Sequence, residues 1–282
     1  MLKRVINYIQ TSRTLARVNM ALARAQSGNY RQLCPQNPNS WEFCGFSQNG
    51  EDGIIDYLTQ KIIEPNRYFV EIGAADGLEN NTAWLAIARK FSGLMVEGCS
   101  KLASRAAKTI PAYNLGVKVL NCFVDKNNIT ALLNECLYLN PDVFSLDIDG
   151  VDYYILQSLL QAGFRPKIIV VEYNSCFGPE KALTVPYHDQ FDYTQAHASG
   201  LYYGVSISAW RKLLEKAGYQ FVTVDSNGVN AFFIDPQCFS ATWVANLQAK
   251  PFAENFYQYQ KCQGGWQTQF AHIATQPFEV IS

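Results

Sequence analysis

The chain has 282 residues, 48% of them hydrophobic and 17% charged, with a formal net charge of −1. That length and apolar content support the core of an elaborated domain and exclude an intrinsically disordered chain. The balanced charge gives no global field for nucleic acid, and no run of 18 apolar residues is present to span a bilayer. Eight cysteines form neither a CxxC pair nor, with histidine, a zinc-ligand spacing, so a reducing, cytoplasmic setting is expected.

Residues 1–41 hold Lys3, Arg4, Arg13, Arg17, Arg24 and Arg31 but no acid; the first is Glu42. Leu2, Ile6, Ile9, Leu15, Val18 and Leu22 recur at helical spacing over residues 2–26. A basic amphipathic helix of this kind suits a peripheral membrane contact, packing on the domain, or self-association through residues 1–26. The segment lacks the contiguous apolar stretch of a secretory signal and shares the Arg-rich, acid-poor composition of transit peptides. Residues 27–46, with Gly28, Pro35 and Pro38, read as a linker.

From residue 47 helices and strands alternate. Helices are predicted near 49–63, 80–91, 100–108, 129–139, 151–161 and up to Lys216, the last capped by Ser206 or Ser208. Strands are predicted over 67–72, 93–97, 115–124, 143–148 and 167–172, the last a continuous apolar run, KIIVVE. Such runs suit a parallel sheet covered on both faces. Residues 219–224 and 229–234 flank the turn DSNG, which predicts a closing antiparallel hairpin. Residues 236–282, rich in Gln and aromatics, have no assignable pattern.

The first strand ends in YFVEIGAADG (68–77), where Glu71 precedes a turn bracketed by Gly73 and Gly77. The second ends in Glu97. Acids at both strand tips suit a cofactor made of an amino acid and a ribose, such as S-adenosylmethionine, although both acids can instead cap neighbouring helices. GAADG lacks the GxGxxG spacing of a dinucleotide site. Asp125 follows the third strand, either facing the adenine of such a cofactor or solvated in its loop. The fourth strand runs into SLDIDGVDYYIL, crowding Asp147, Asp149 and Asp152 around Gly150, with Glu172 at the neighbouring strand end. Like charges this close need a cation, a proton or hydrogen bonds to offset them. Asp147, Asp149 and Glu172 suit Mg²⁺, Mn²⁺ or Ca²⁺ by their oxygen donors; Asp147 and Asp149 are alternatively general bases, and Asp152 a helix cap. Strand alternation would turn Asp147 and Asp149 to one side and Ile148 into the core. The long loop 174–205 has the length of a substrate lid and holds His188 and His197, candidate bases near neutral pH.

SQNGEDGII (47–55), FVEIGAADGLENNT (69–82), GLMVEG (93–98), SLDIDGVDYYIL (145–156), RPKIIVVEYN (165–174) and YYGVSISAW (202–210) together resemble the FkbM-type S-adenosylmethionine-dependent methyltransferases. The resemblance runs from about 47 to 235. It implies an N-terminal helix and linker at 1–46, a methyltransferase domain at 47–235 and an extension at 236–282. It also implies a Rossmann-like class I sheet, with Glu71, Gly73, Asp76 and Gly77 around the methionine part, Glu97 on the ribose, Asp125 at the adenine and Gln48 at the entrance. The expected activity is O-methylation of a sugar hydroxyl on a glycan, polysaccharide or glycosylated metabolite. Asp147, Asp149 or His188 would take the proton, and Mg²⁺ or Mn²⁺ would assist. Similar Mg²⁺-dependent sugar methyltransferases carry paired aspartates where this chain has Glu172 and Tyr173. The alternatives are a metal-free small-molecule N- or O-methyltransferase and a non-catalytic scaffold that keeps the cofactor fold.

Overall fold

The computed structural model describes residues 15–22 and 31–282. Seven apolar runs become strands of one sheet: β1 (Tyr68–Ile72), β2 (Ser92–Glu97), β3 (Val117–Asn121), β4 (Val143–Leu146), β5 (Ile168–Glu172), β7 (Gln220–Val224) and β8 (Asn230–Ile234). Their order is β3-β2-β1-β4-β5-β8-β7. The first five are parallel, and β8 runs antiparallel to both β5 and β7. This is the expected Rossmann-like class I methyltransferase sheet. Two further short strands, β6 (Leu183–Thr184) and β9 (Glu279–Val280), pair antiparallel outside it.

Strand alternation splits the core in two. Tyr68, Val70 and Ile72 of β1 face α5 (Ile129–Asn134), α6 (Asp152–Gln161) and α8 (Ile207–Lys216). Phe69, between them, faces α2 (Glu51–Thr59) and α3 (Ala83–Ile87). A fully buried side chain such as Phe69 contributes up to about 3 kcal/mol. The flanking segments belong to the same cores. Residues 15–22 form α1, whose Val18 and Ala21 pack in the second core together with Trp41, Phe46 and Phe239. Trp41 stacks on Tyr57 at 4.3 Å, so part of the expected linker is a buried 3-10 turn, Pro38–Trp41. The rest of the helix expected over 2–26 lies outside the described residues.

Several elements are shorter than their apolar runs. α3 starts at Ala83 because residues 80–82 turn back on β1: the Asn81 N–H and the Thr82 hydroxyl both donate to Glu71. α4 (Ser100–Thr109) gives way to a 3-10 turn over Ile110–Ala112, where Pro111 cannot continue it. Ser206, not Ser208, caps α8, accepting from the Ala209 N–H at 3.0 Å. Within the loop 174–205 a 3-10 turn forms over Ser175–Phe177 and a short α-helix, α7, over Tyr193–Ala196. The extension 236–282, unassigned by pattern, carries α9 (Ala241–Ala245), α10 (Phe256–Cys262), α11 (Trp266–Ala271) and β9. Among the described residues no helix is long and apolar enough to cross a membrane.

Candidate active site

Parallel strands on either side of a reversal in chain order leave a crevice at their carboxyl ends. Here the reversal falls between β1 and β4, and a cavity of about 440 Å³ opens there, walled by Gly73, Glu97, Phe123, Asp147, Ile148 and Asp149 among others. Glu97 is fixed at its edge: Oε2 accepts from the Ala75 N–H at 2.8 Å and Oε1 from the Cys99 N–H at 2.7 Å. A carboxylate has about four lone-pair sites, so two remain for ligand hydroxyls. Gly73, at φ +91, lets β1 and β4 meet: a Cβ there would stand 1.7 Å from the Asp147 carbonyl oxygen. Val96, Leu102 and Val124 line the apolar part, and Phe123, 59% exposed, stands at its rim.

A smaller polar chamber of about 80 Å³ adjoins the cavity, the two sharing Gln48, Gly73, Glu79 and Asp147. Glu51, Glu71 and Asn230 line it. Glu71 accepts from the Asn81 N–H at 2.9 Å and the Thr82 hydroxyl at 2.5 Å. Burial pushes its carboxyl up to about 7 despite those bonds. Asn230 gives its amide N–H to Glu51 at 2.8 Å, while its buried Oδ1 has no partner among the described residues.

The aspartate cluster sits beyond the end of β4, in a loop rather than a strand. Asp149 adopts φ +54, so strand alternation does not extend to it, while Ile148 packs half-buried against the first core and also lines the cavity. Asp152, the first residue of α6, folds back and accepts from the Ile148 and Gly150 N–H groups, both at 2.9 Å. Asp147, Asp149 and Glu172 each bring one oxygen within 4.8 Å of the others. Burial and the neighbouring Asp149 and Asp152 charges push Asp147 well above the usual carboxylate range. Burial and then the Asp147 charge do the same to Glu172. Asp149, the most exposed of the three, is pushed up to about 6 by burial and by Asp152. The Tyr203 hydroxyl lies 3.4 Å from Glu172 Oε1 and accepts from Gln258 of α10 at 3.0 Å. On its open side Asp149 also lines a wide groove of about 1120 Å³ with Phe123, His188, Phe191 and Tyr193.

Of the residues singled out in the sequence, the cavity gathers Gln48, Gly73, Glu97, Asp147 and Asp149. Glu71 faces the chamber, Glu172 backs the acid cluster, and exposed His188 lies in the groove, its Nδ1 accepting from the Gln190 N–H. His197 turns to Ser199. Three expected cofactor residues sit elsewhere. Asp76 is held by Arg17 at 2.6 Å, Gly77 packs its backbone on α4, and Asp125 accepts from the Asn127 and Asn128 N–H groups at 2.7 and 3.0 Å. Glu79 and Phe123 were not singled out. Glu79, three positions after Asp76, carried a signal in its spacing; Phe123 read as part of a strand.

No protein-family model matches the chain, and no curated protein matches it. Among solved structures, the chain is similar to an O-methyltransferase from Bacillus cereus in complex with SAH. That match has 17% identity, covers 78% of this chain and 89% of that one, and has a TM-score of 0.42. It is also similar to a SAM-dependent methyltransferase from Aquifex aeolicus, at 11% identity over 63% of this chain and 86% of that one, TM-score 0.38. A magnesium protoporphyrin IX methyltransferase from Synechocystis PCC 6803 with bound SAM shows 11% identity over 65% and 77%, TM-score 0.41. The fold assignment rests on the strand order and the antiparallel β8.

Proposed function

We propose that the chain is an S-adenosylmethionine-dependent O-methyltransferase of the FkbM type, acting on a hydroxyl of a sugar-containing acceptor. The observation that carries this reading is the cavity of about 440 Å³ at the carboxyl ends of β1 and β4, with the Glu97 carboxylate held at its edge. Its volume falls within the ~300–1,000 Å³ of small-molecule sites. The cofactor supplies an already activated sulfonium methyl group.

Glu97 accepts from the two ribose hydroxyls, and Val96, Leu102, Phe123 and Val124 surround the adenine with apolar surface. The chamber offers carboxylates and the unpaired Asn230 Oδ1 to an ammonium group, which suits the amino-acid end. Asp149 touches both cavity and groove, so it stands where donor and acceptor meet. Raised to about 6, it is ionised at neutral pH yet basic enough to take a hydroxyl proton. The exposed Phe123, with Phe191, Tyr193 and His188, gives the groove the aromatic and polar faces that suit a sugar.

The donor set of Asp147, Asp149 and Glu172 also fits Mg²⁺ or Mn²⁺, which would lower the acceptor's pKa. The convergence of the Asp147 and Glu172 carboxyls, both held above the usual carboxylate range, favours a second, metal-free reading, in which a shared proton offsets the crowded charge. Calorimetric titration with S-adenosylhomocysteine tests the cofactor assignment. Glu97→Ala is expected to weaken binding at least ~10-fold, the loss of about 1.4 kcal/mol. Absence of binding to the unaltered protein would refute the proposal and favour a scaffold. Mn²⁺ binding followed by electron paramagnetic resonance separates the two variants of the mechanism: binding lost in Asp149→Asn supports the metal, and no binding supports the proton.

A further inference from the structure

Arg17 projects from α1 onto the loop that follows β1. Its Nη1 lies 2.6 Å from Asp76 Oδ2, and its Nη2 lies 3.5 Å from Asp76 Oδ1 and 3.2 Å from Glu79 Oε2. The other oxygen of Glu79 accepts from Gln48 Nε2 at 2.7 Å. Glu79 is therefore clamped from both sides, and the clamp occupies a particular place. Gln48 and Glu79 are walls of three spaces at once: the cavity, the polar chamber, and a third space of about 400 Å³ beneath α1. Arg17, Met20 and Ala21 of α1 line that third space opposite Leu78 and Tyr257.

α1 is otherwise shallowly seated. Val18 and Ala21 are its buried apolar side chains, while Leu15, Met20 and Leu22 remain exposed. A planar guanidinium fork can bridge two carboxylates in a way that a single ammonium cannot.

We propose that Arg17 is a positioning residue that fastens α1 against the Gln48–Glu79 wall of the cleft and, by holding that wall in place, sets how fast the cofactor enters and leaves. The inference rests on the S-adenosylmethionine reading above. Arg17 does not touch the ligand; it acts through Glu79 and Asp76 on the wall shared with Gln48. A fastening of this kind slows entry and exit together, so it changes exchange rates while leaving affinity nearly constant. Being half-exposed, it is also screened by salt.

The test measures release of radiolabelled S-adenosylhomocysteine after a chase with excess unlabelled ligand, with affinity taken from calorimetry. In Arg17→Ala the release rate is expected to rise about fivefold, the effect of losing an exposed, networked ion pair. Kd is expected to stay within about twofold, so the association rate rises in step. Added salt should speed release in the unaltered protein and have little effect in Arg17→Ala, with Arg17→Lys between them. Unchanged release, or faster release matched by an equal loss of affinity, would overturn the proposal. Hydrogen–deuterium exchange of residues 15–22 gives a ligand-free check. Protection unaffected by Arg17→Ala would also overturn it, whereas failure of the unaltered protein to bind the ligand at all would instead refute the cofactor reading.

Discussion

Replacing Gly73 by alanine tests the junction on which the site depends. Gly73 sits at φ +91, and an added Cβ would lie 1.7 Å from the Asp147 carbonyl oxygen and 2.8 Å from its carbon, both backbone atoms that no rotamer change can move. Relief requires the tips of β1 and β4 to part by more than about 1 Å, since Cβ contacts shorter than 3.0 Å are essentially never found. The hydrogen bonds at risk are Asp147 N–H to the Ile72 carbonyl at 3.0 Å and Gly73 N–H to the Val96 carbonyl at 2.9 Å. Losing two such bonds costs about 2 kcal/mol, and a left-handed alanine about 1–2 kcal/mol more. The expected loss is therefore about 3–4 kcal/mol, or roughly 10 °C in Tm for a chain of this size. Gly163→Ala is the control. Its φ is +89, but nothing lies within 4 Å of the added Cβ, so it meets the conformational penalty alone. Thermal and urea unfolding of both variants, with calorimetry of S-adenosylhomocysteine on Gly73→Ala, give the comparison. Equal destabilisation of the two would refute the idea that Asp147 is held against β1 through Gly73.

Asp52, Glu71 and Asp225 are each pushed up to about 7 by burial, so the folded state holds protons that the unfolded chain releases near pH 4. Stability from these groups is full below about pH 4 and is lost as pH rises toward about 7; Glu71→Gln should flatten that slope and raise Tm at pH 8 by on the order of 5 °C. Asp52 Oδ2 accepts from the N–H groups of Gly45, Phe46 and Ser47 at 2.7, 2.6 and 3.0 Å. Asp52→Ala strands all three and should cost about 3–5 kcal/mol in urea unfolding. Asp149→Asn should keep S-adenosylhomocysteine affinity within about twofold while slowing methyl transfer to a hydroxyl acceptor at least ~100-fold, as loss of a general base does. Parallel calorimetry and radiolabelled-methyl assays check that separation.

The sheet was legible because strands buried on both faces read as apolar runs, and KIIVVE and YFVEI each became a strand within a residue or so of expectation. Helix lengths were less legible, because tertiary partners decided them. Residues 80–82, expected to open a helix, turn to meet Glu71 instead. The acid cluster was readable by spacing, since Asp147, Asp149 and Glu172 do converge. Its conformation was not, because the left-handed Asp149 depends on where β4 stops. Asp76 and Asp125 show the same limit from the other side. The resemblance implied a place for both beside a cofactor, while in the structure their oxygens are engaged by an arginine from α1 and by a pair of turn amides. The extension 236–282 gave little periodic signal because its elements are only two to seven residues long, too short to repeat an apolar spacing.

The β6–β9 pair has a bearing on how the molecule assembles during synthesis. It ties Leu183–Thr184, in the loop that carries His188 and α7, to Glu279–Val280. The Tyr154 hydroxyl under that loop also bonds the Glu279 carboxylate at 2.5 Å, and Gln258 of α10 reaches Tyr203 beside Glu172. All five parallel strands leave the ribosome well before these partners do. Domains generally fold as units, so the groove wall, which takes supports from Gln258 and from Glu279–Val280, is secured only once those last residues have emerged. A chain cut short before residue 279 would therefore lack the strand pair that braces the loop carrying His188.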